Sequence, residues 1–166
     1  MDAATGQLLW SRAFTGVNTK PASSYGGRVY LQTTGAGGAL VGLDAETGES
    51  LFRTAHSSQG QNYLSPVVVG SNVYCNGGAQ GGCYAFDAAS GQMLWYSSSA
   101  PYSDWSPTVD GRYVYAPYIN SVRVIDRSTG ADVREIPVPG TGIIRGAVAV
   151  LAGPTELVMV ASSRLA

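Results

Sequence analysis

Histidine and lysine each occur once in these 166 residues, as His56 and Lys20. One histidine excludes the multi-histidine metal sites typical of zinc enzymes. Charge of either sign is scarce, at 13% of residues against roughly 25% in ordinary domains. Ten Lys+Arg against eleven Asp+Glu leave a net charge of −1, so the chain has no basic footprint for nucleic acid or anionic lipid. Long apolar runs are missing too. The best stretch, residues 143–160, is broken by Arg145, Gly153, Pro154 and Glu156, which excludes a membrane-spanning helix there. The opening residues, Met1-Asp2-Ala3-Ala4-Thr5-Gly6, carry neither a basic nor an apolar leader. No nucleophile elbow occurs, so a Ser/His/Asp triad has no support.

Glycine is abundant, at 22 residues beside 8 prolines, and 45% of the chain is hydrophobic. That balance excludes disorder and long amphipathic helices, and it fits short strands joined by glycine turns within one domain.

A repeat organises the chain. Asp2-Ala3-Ala4-Thr5-Gly6-Gln7-Leu8-Leu9-Trp10 recurs as Asp44-Ala45-Glu46-Thr47-Gly48-Glu49-Ser50-Leu51-Phe52 and as Asp87-Ala88-Ala89-Ser90-Gly91-Gln92-Met93-Leu94-Trp95. A weaker copy begins Asp126-Arg127-Ser128-Thr129-Gly130. The aspartates stand 42, 43 and 39 residues apart. In phase with them run Ser65-Pro66-Val67-Val68-Val69-Gly70 before Asn72-Val73-Tyr74, and Ser106-Pro107-Thr108-Val109-Asp110-Gly111 before Tyr113-Val114-Tyr115. Residues 21–30 form a third such segment. Each period reads as four short strands; in the clearest, they are 63–69, 72–76, 83–86 and 92–97. Four-stranded units of roughly 40–45 residues are propeller blades, so the predicted fold is an all-β propeller of four-stranded antiparallel blades. The glycine-rich runs 35–38 and 77–82 are then hairpin loops, not phosphate cradles.

The turn explains its own sequence. An aspartate accepts hydrogen bonds from the following backbone N–H groups and hydroxyl. The glycine takes a positive φ. Asp2, Gly6, Trp10, Asp44, Gly48, Phe52, Asp87, Gly91, Trp95, Asp126 and Gly130 are accordingly read as architectural. The aromatic residue sits on the outer strand, where it can lie flat on the next blade.

Ala85-Phe86-Asp87 through Gly91 to Trp95 resembles the tryptophan-docking motif of the quinoprotein alcohol dehydrogenase-like, or PQQ-like repeat, propellers. The second copy departs from it at Gly42 and Phe52, the fourth at Val124 and Arg134. The resemblance implies a wide ring, a periplasmic or extracellular location and, in the family's dehydrogenases, pyrroloquinoline quinone with calcium. The same blades also serve assembly lipoproteins and sensor ectodomains. No pair of adjacent cysteines matches the disulfide some of those dehydrogenases carry.

Read end to start, Arg164-Leu165-Ala166-Met1-Asp2 completes one more motif. Blade segments are expected at 18–57, 61–99, 102–138 and 141–166, the last completed by 1–14. The ring would close within one chain, or two chains would pair as a homodimer into eight blades. A piece of a longer propeller fits the same ends.

Candidate chemistry is sparse. His56 reads as a solvated loop residue. Cys75 and Cys83 flank a hairpin and either face each other within disulfide reach or remain two reduced thiols. Segments entering each innermost strand should ring the channel. They supply Asp104 as the one catalytic candidate, and Lys20, Asn62, Tyr63, Trp105 and Arg145 as cofactor-binding candidates, with cations, amides and aromatics for an anionic quinone. A calcium shell of six to eight oxygens cannot be assembled from them. The expected function is a binding or scaffold module engaging a protein or small ligand at its rim. The alternatives are a piece or symmetric half of a PQQ-dependent alcohol or sugar dehydrogenase, and a truncated or engineered piece without activity of its own.

Overall fold

In the computed structural model, residues 1–35, 37–57, 64–78, 81–98, 105–118 and 120–138 are described. The first antiparallel sheet contains β1 (Val17–Thr19), β2 (Ser23–Tyr25), β3 (Arg28–Gly35), β4 (Ala39–Asp44) and β5 (Ser50–Ala55). β1 and β2 lie end to end along β3, with Pro21 in the break between them. The second sheet is β6 (Val67–Val69), β7 (Asn72–Asn76), β8 (Cys83–Asp87) and β9 (Met93–Ser97). The third is β10 (Thr108–Val109), β11 (Tyr113–Tyr118), β12 (Ser121–Asp126) and β13 (Asp132–Pro137). In each sheet the strands pair in chain order, as blades of a propeller do. The described residues thus form three blades of a partial propeller, without a helix. The fourth segment, 141–166, lies outside them.

The innermost strands are shorter than the sequence indicated. β6 begins at Val67 because Pro66, which has no N–H, cannot extend the ladder. β3 pairs antiparallel with β4, and β7 with β8, as the two glycine-rich hairpins require.

Alternation along each strand splits its side chains between two seams. Tyr30, Leu40 and Phe52 of the first blade meet Val73, Cys75, Tyr84, Phe86 and Ala88 of the second. The opposite face of the second blade, with Tyr74, Cys83, Ala85 and Trp95, meets Val114, Ala116 and Ile125 of the third. Trp10 and Phe14 pack on the outer side of the first blade, over Leu31, Val41 and Leu43. The core is therefore the set of seams between sheets, and each blade is stable only beside a neighbour.

One irregularity recurs. The third and fourth strands slip by one residue between Gly42 and Leu43, between Ala85 and Phe86, and between Val124 and Ile125. The unmatched residues on the outer strands are Leu51, Leu94 and Val133, which are 46%, 47% and 49% exposed. A bulge bends its strand and re-aims the next side chain. Here the next side chains are Phe52, Trp95 and Arg134, and the two aromatic ones turn into the seam. The exposed leucines and valine are by-products of that aim.

Gly48 shows how tightly the seam closes. It has φ +73°, and a Cβ there would stand 2.5 Å from the Trp10 ring. Gly6 holds the same turn position at φ +70° with nothing within 4 Å. Gly6→Ala is expected to cost about 1 kcal/mol, for backbone strain alone. Gly48→Ala should cost about 1–3 kcal/mol more, from overpacking. Urea denaturation of the two variants measures the difference.

Candidate functional site

Each repeat aspartate is consumed by its own turn. Asp87 Oδ1 accepts from the Ser90 N–H at 2.7 Å, the Ser90 hydroxyl at 2.7 Å and the Ala89 N–H at 3.1 Å. Asp2, Asp44 and Asp126 are held alike. These bonds hold the Asp2 and Asp87 carboxyls below the usual carboxylate range, the hydroxyls of Thr5 and Ser90 contributing most.

The residue after Asp44, Asp87 and Asp126 is a node. Its N–H closes the blade on itself: Ala45 donates to Gly27 O at 3.0 Å, Ala88 to Ser71 O at 2.7 Å and Arg127 to Arg112 O at 2.9 Å. Its carbonyl takes a bond across the seam. Trp10 Nε1 donates to Ala45 O at 2.9 Å, and Trp95 Nε1 to Arg127 O at 2.9 Å. Phe52 has no N–H to give, and the Tyr30 hydroxyl supplies the missing bond, to Ala88 O at 3.1 Å. Gly42, in place of the motif's alanine, leaves room for the Phe52 ring, which a Cβ there would strike. The second copy's departures from the motif are thus a matched set: Gly42, Phe52 and Tyr30 together replace an alanine and an indole.

Two residues past each aromatic, a side chain reaches the same neighbouring turn. Arg12 Nη1 donates to Gly48 O at 3.0 Å, Thr54 to Gly91 O at 2.6 Å and Ser97 to Asp132 Oδ1 at 3.2 Å. The third blade adds Arg127, whose Nε donates to the Tyr74 hydroxyl and whose Nη2 donates to Val69 O, both at 2.7 Å.

The first strand of each blade starts at the end opposite these turns, as four antiparallel strands in chain order require. Asp104, Asn62, Tyr63 and Arg145 fall outside the described residues. Trp105 is described, and it corrects the expectation of a rim-facing ring. It is 2% exposed, packed among Tyr74, Trp95 and Val114, and its carbonyl accepts from Asn76 Nδ2. Lys20 is half-buried, its N–H donating to Gln32 O at 3.0 Å.

The cysteines are free thiols, which corrects the disulfide alternative. The register pairs Cys75 with Tyr84 and Asn76 with Cys83. Cys75 and Cys83 therefore point to opposite faces, one into each seam. Burial pushes the Cys75 thiol up to about 12 and Cys83 higher still.

His56 also departs from the sequence reading. It is 9% exposed, and neither ring nitrogen has a partner. Its ring lies 4.9 Å from Tyr84 and 5.5 Å from Phe86, centroid to centroid, so it belongs to the first seam and not to a solvated loop. Sequence reasoning missed it because the residue ends a strand beside Ser57, where solvent exposure is the ordinary outcome. The even spacing Phe52, Thr54, His56 was the available signal.

Calcium with pyrroloquinoline quinone needs a shell of oxygens and a planar stacking face. Among the described residues the repeat carboxylates sit at the turn end, engaged in their turns. Asp110 is likewise engaged, by the Arg112 and Tyr113 amides and the Tyr115 hydroxyl. Trp105 offers no open face. No three His, Cys, Asp or Glu side chains gather as a metal site among the described residues. The described residues do not fit the group.

Comparison with known proteins places these features in context. The family model described as outer membrane protein assembly factor BamB matches residues 1–162. The dehydrogenase subunit of a quinone alcohol dehydrogenase from Gluconobacter oxydans is 30% identical over 132 residues, 64% of this chain but 17% of that protein. BamB from Moraxella catarrhalis superposes with a TM-score of 0.59 at 20% identity, over 71% of this chain and 36% of that one. The computationally designed Ika4 protein gives 0.68 at 17% identity, over 89% and 88%. At these identities the structural likenesses establish the fold alone. The chain spans less than a fifth of the curated relative and about a third of that BamB.

Tyr30→Phe should cost about 1–3 kcal/mol in urea denaturation, because it orphans the Ala88 carbonyl. Alkylation without reductant should modify neither thiol in the native protein and both after denaturation, as read by mass.

Proposed function

The chain belongs to the PQQ-like repeat family of β-propellers that includes the BamB assembly factor, and from that premise we propose that it is a non-catalytic binding and scaffold module. One observation carries this reading: the side chains that recur in every blade are spent on architecture. The repeat aspartates fasten turns, the aromatics fasten seams, and neither group is left to bind or react. A protein or small-ligand partner would be engaged at the entry end, away from these turns. Fold alone does not assign function, and the family model's match to an assembly factor over residues 1–162 is the added support.

Rigidity is the physical contribution of such a module. Bonds across both seams, and from the N-terminal segment to the first blade, fix the blades against one another, so partner contacts are made without ordering the scaffold. A periplasmic or extracellular setting fits the family's outer-membrane member. A two-chain, eight-bladed ring is the assembly we assign to the homodimer reading; a monomeric mass in solution would rule it out.

The second reading, part of a PQQ-dependent dehydrogenase, is favoured by the 30% identity to the Gluconobacter subunit. Titration with pyrroloquinoline quinone and calcium separates the two. The module reading expects no saturable change in the quinone absorbance with the cofactor in large excess. A saturable spectral change, together with dye reduction on adding an alcohol, would replace it with the enzyme.

A further inference from the structure

The first seam changes character along its length. Towards the turns it is apolar and tightly bonded: Phe52 lies on Gly91, Thr54 holds Gly91 O, and Tyr30 holds Ala88 O. Towards the hairpins it turns polar, with Gln32, Thr34, His56 and Cys75 all buried. Gln32 Nε2 reaches across to Asn76 O at 3.1 Å. The Thr34 hydroxyl and both His56 nitrogens have no partner. No direct hydrogen bond from His56's side chain fixes this end; its ring simply wedges against Tyr84 and Phe86 of β8.

Among the described residues, the surroundings supply no counter-charge. β8 presents Tyr84 and Phe86, and the Tyr84 hydroxyl donates to Ser57 O at 3.3 Å. β9 presents Tyr96, tilted against Tyr84 with ring centroids 4.6 Å apart, and β7 presents the neutral Cys75 thiol. The β3–β4 hairpin gives Gly38, whose carbonyl accepts from the His56 N–H, and β3 gives Gln32 and Thr34. The charged side chains at this end of the first sheet are Arg53, bonded to Gly37 O at 2.6 Å, and Lys20, both cations. The carboxylates of β4 and β8, Asp44 and Asp87, stand at the far end in their turns.

We propose that His56 is a pH-sensitive wedge: protonation expels its ring from the first seam and parts β5 from β8 at the hairpin end, while the turn end stays joined. A buried imidazolium with no carboxylate or acceptor among the described residues around it is unfavourable. Leaving the seam restores its hydration. Burial holds this imidazole down to about 4, below its usual value. The unfolded or opened state binds the proton more readily, so closure is complete above about pH 6.5 and is lost as the pH falls towards 4. Opening uncovers the aromatic rings of Tyr84 and Phe86. The device does not depend on the module reading.

The single histidine makes the test direct. Proton NMR of the whole chain follows one imidazole Cε1–H. Its midpoint is expected well below 6.5, with the Tyr84 and Tyr96 ring signals moving alongside. Hydrogen exchange in residues 50–56 and 83–86, corrected for intrinsic rates, should rise roughly tenfold or more between about pH 7 and about pH 4.5. Residues 121–126 should not follow. His56→Phe should abolish the rise. A midpoint at or above about 6.5, unmoved ring signals, or an equal rise in His56→Phe would overturn the proposal. Should the variant fail to fold, the wild-type titration decides alone.

Discussion

The constraint on which this structure depends is the contact of an aromatic ring with a turn glycine in the next sheet. A single four-stranded blade is too thin to bury its own side chains, and its two faces are completed only by neighbours. The ring must therefore arrive at one place in each seam. Three local features deliver it: a bulge that turns the residue inward, a glycine with no side chain at the point of arrival, and a carbonyl positioned to accept a bond. The node peptide after the aspartate couples these features, because its N–H ties the blade and its carbonyl ties the seam.

This coupling also limits what the repeat can do chemically. Repeat carboxylates that could coordinate in another setting are committed to turns, and the thiols are sealed into separate seams. Specific behaviour has to come from positions where the repeat is broken. Arg127 replaces a small residue and clamps the third blade to the second. Gln32, Thr34 and His56 put buried polar groups at the hairpin end of the first seam. Function in a fold of this kind is grafted onto such exceptions.

Much of the fold was legible in the sequence because its cause is local. The aspartate, the glycine and the period are fixed by one turn and one ring contact, and both leave residues at constant spacing. The glycine runs at 35–38 and 77–82 were legible as hairpins for the same reason. What resisted reading was decided across strands or across seams. The position of Cys75 against Cys83 turns on a one-residue offset in register, which moves a side chain to the other face. Trp105 looked like a rim residue because it precedes a strand, and it is buried because the third blade arrives over it. His56 is buried by Tyr84 and Phe86, which lie 28 and 30 positions further along the chain. The replacement of an indole by Tyr30, Phe52 and Gly42 joins three separate strands, and no single spacing announces it.

A double-mutant cycle between Trp95 and Gly130, two residues in contact across the second seam, tests the central claim most directly. Trp95→Ala, Gly130→Ala and the double variant are compared by urea denaturation. If the ring rests on the glycine, the added methyl is costly only while the ring is present, and the two changes couple by about 1–3 kcal/mol. Additivity within roughly 0.3–0.5 kcal/mol would contradict the account, because the ring and the turn would then act independently.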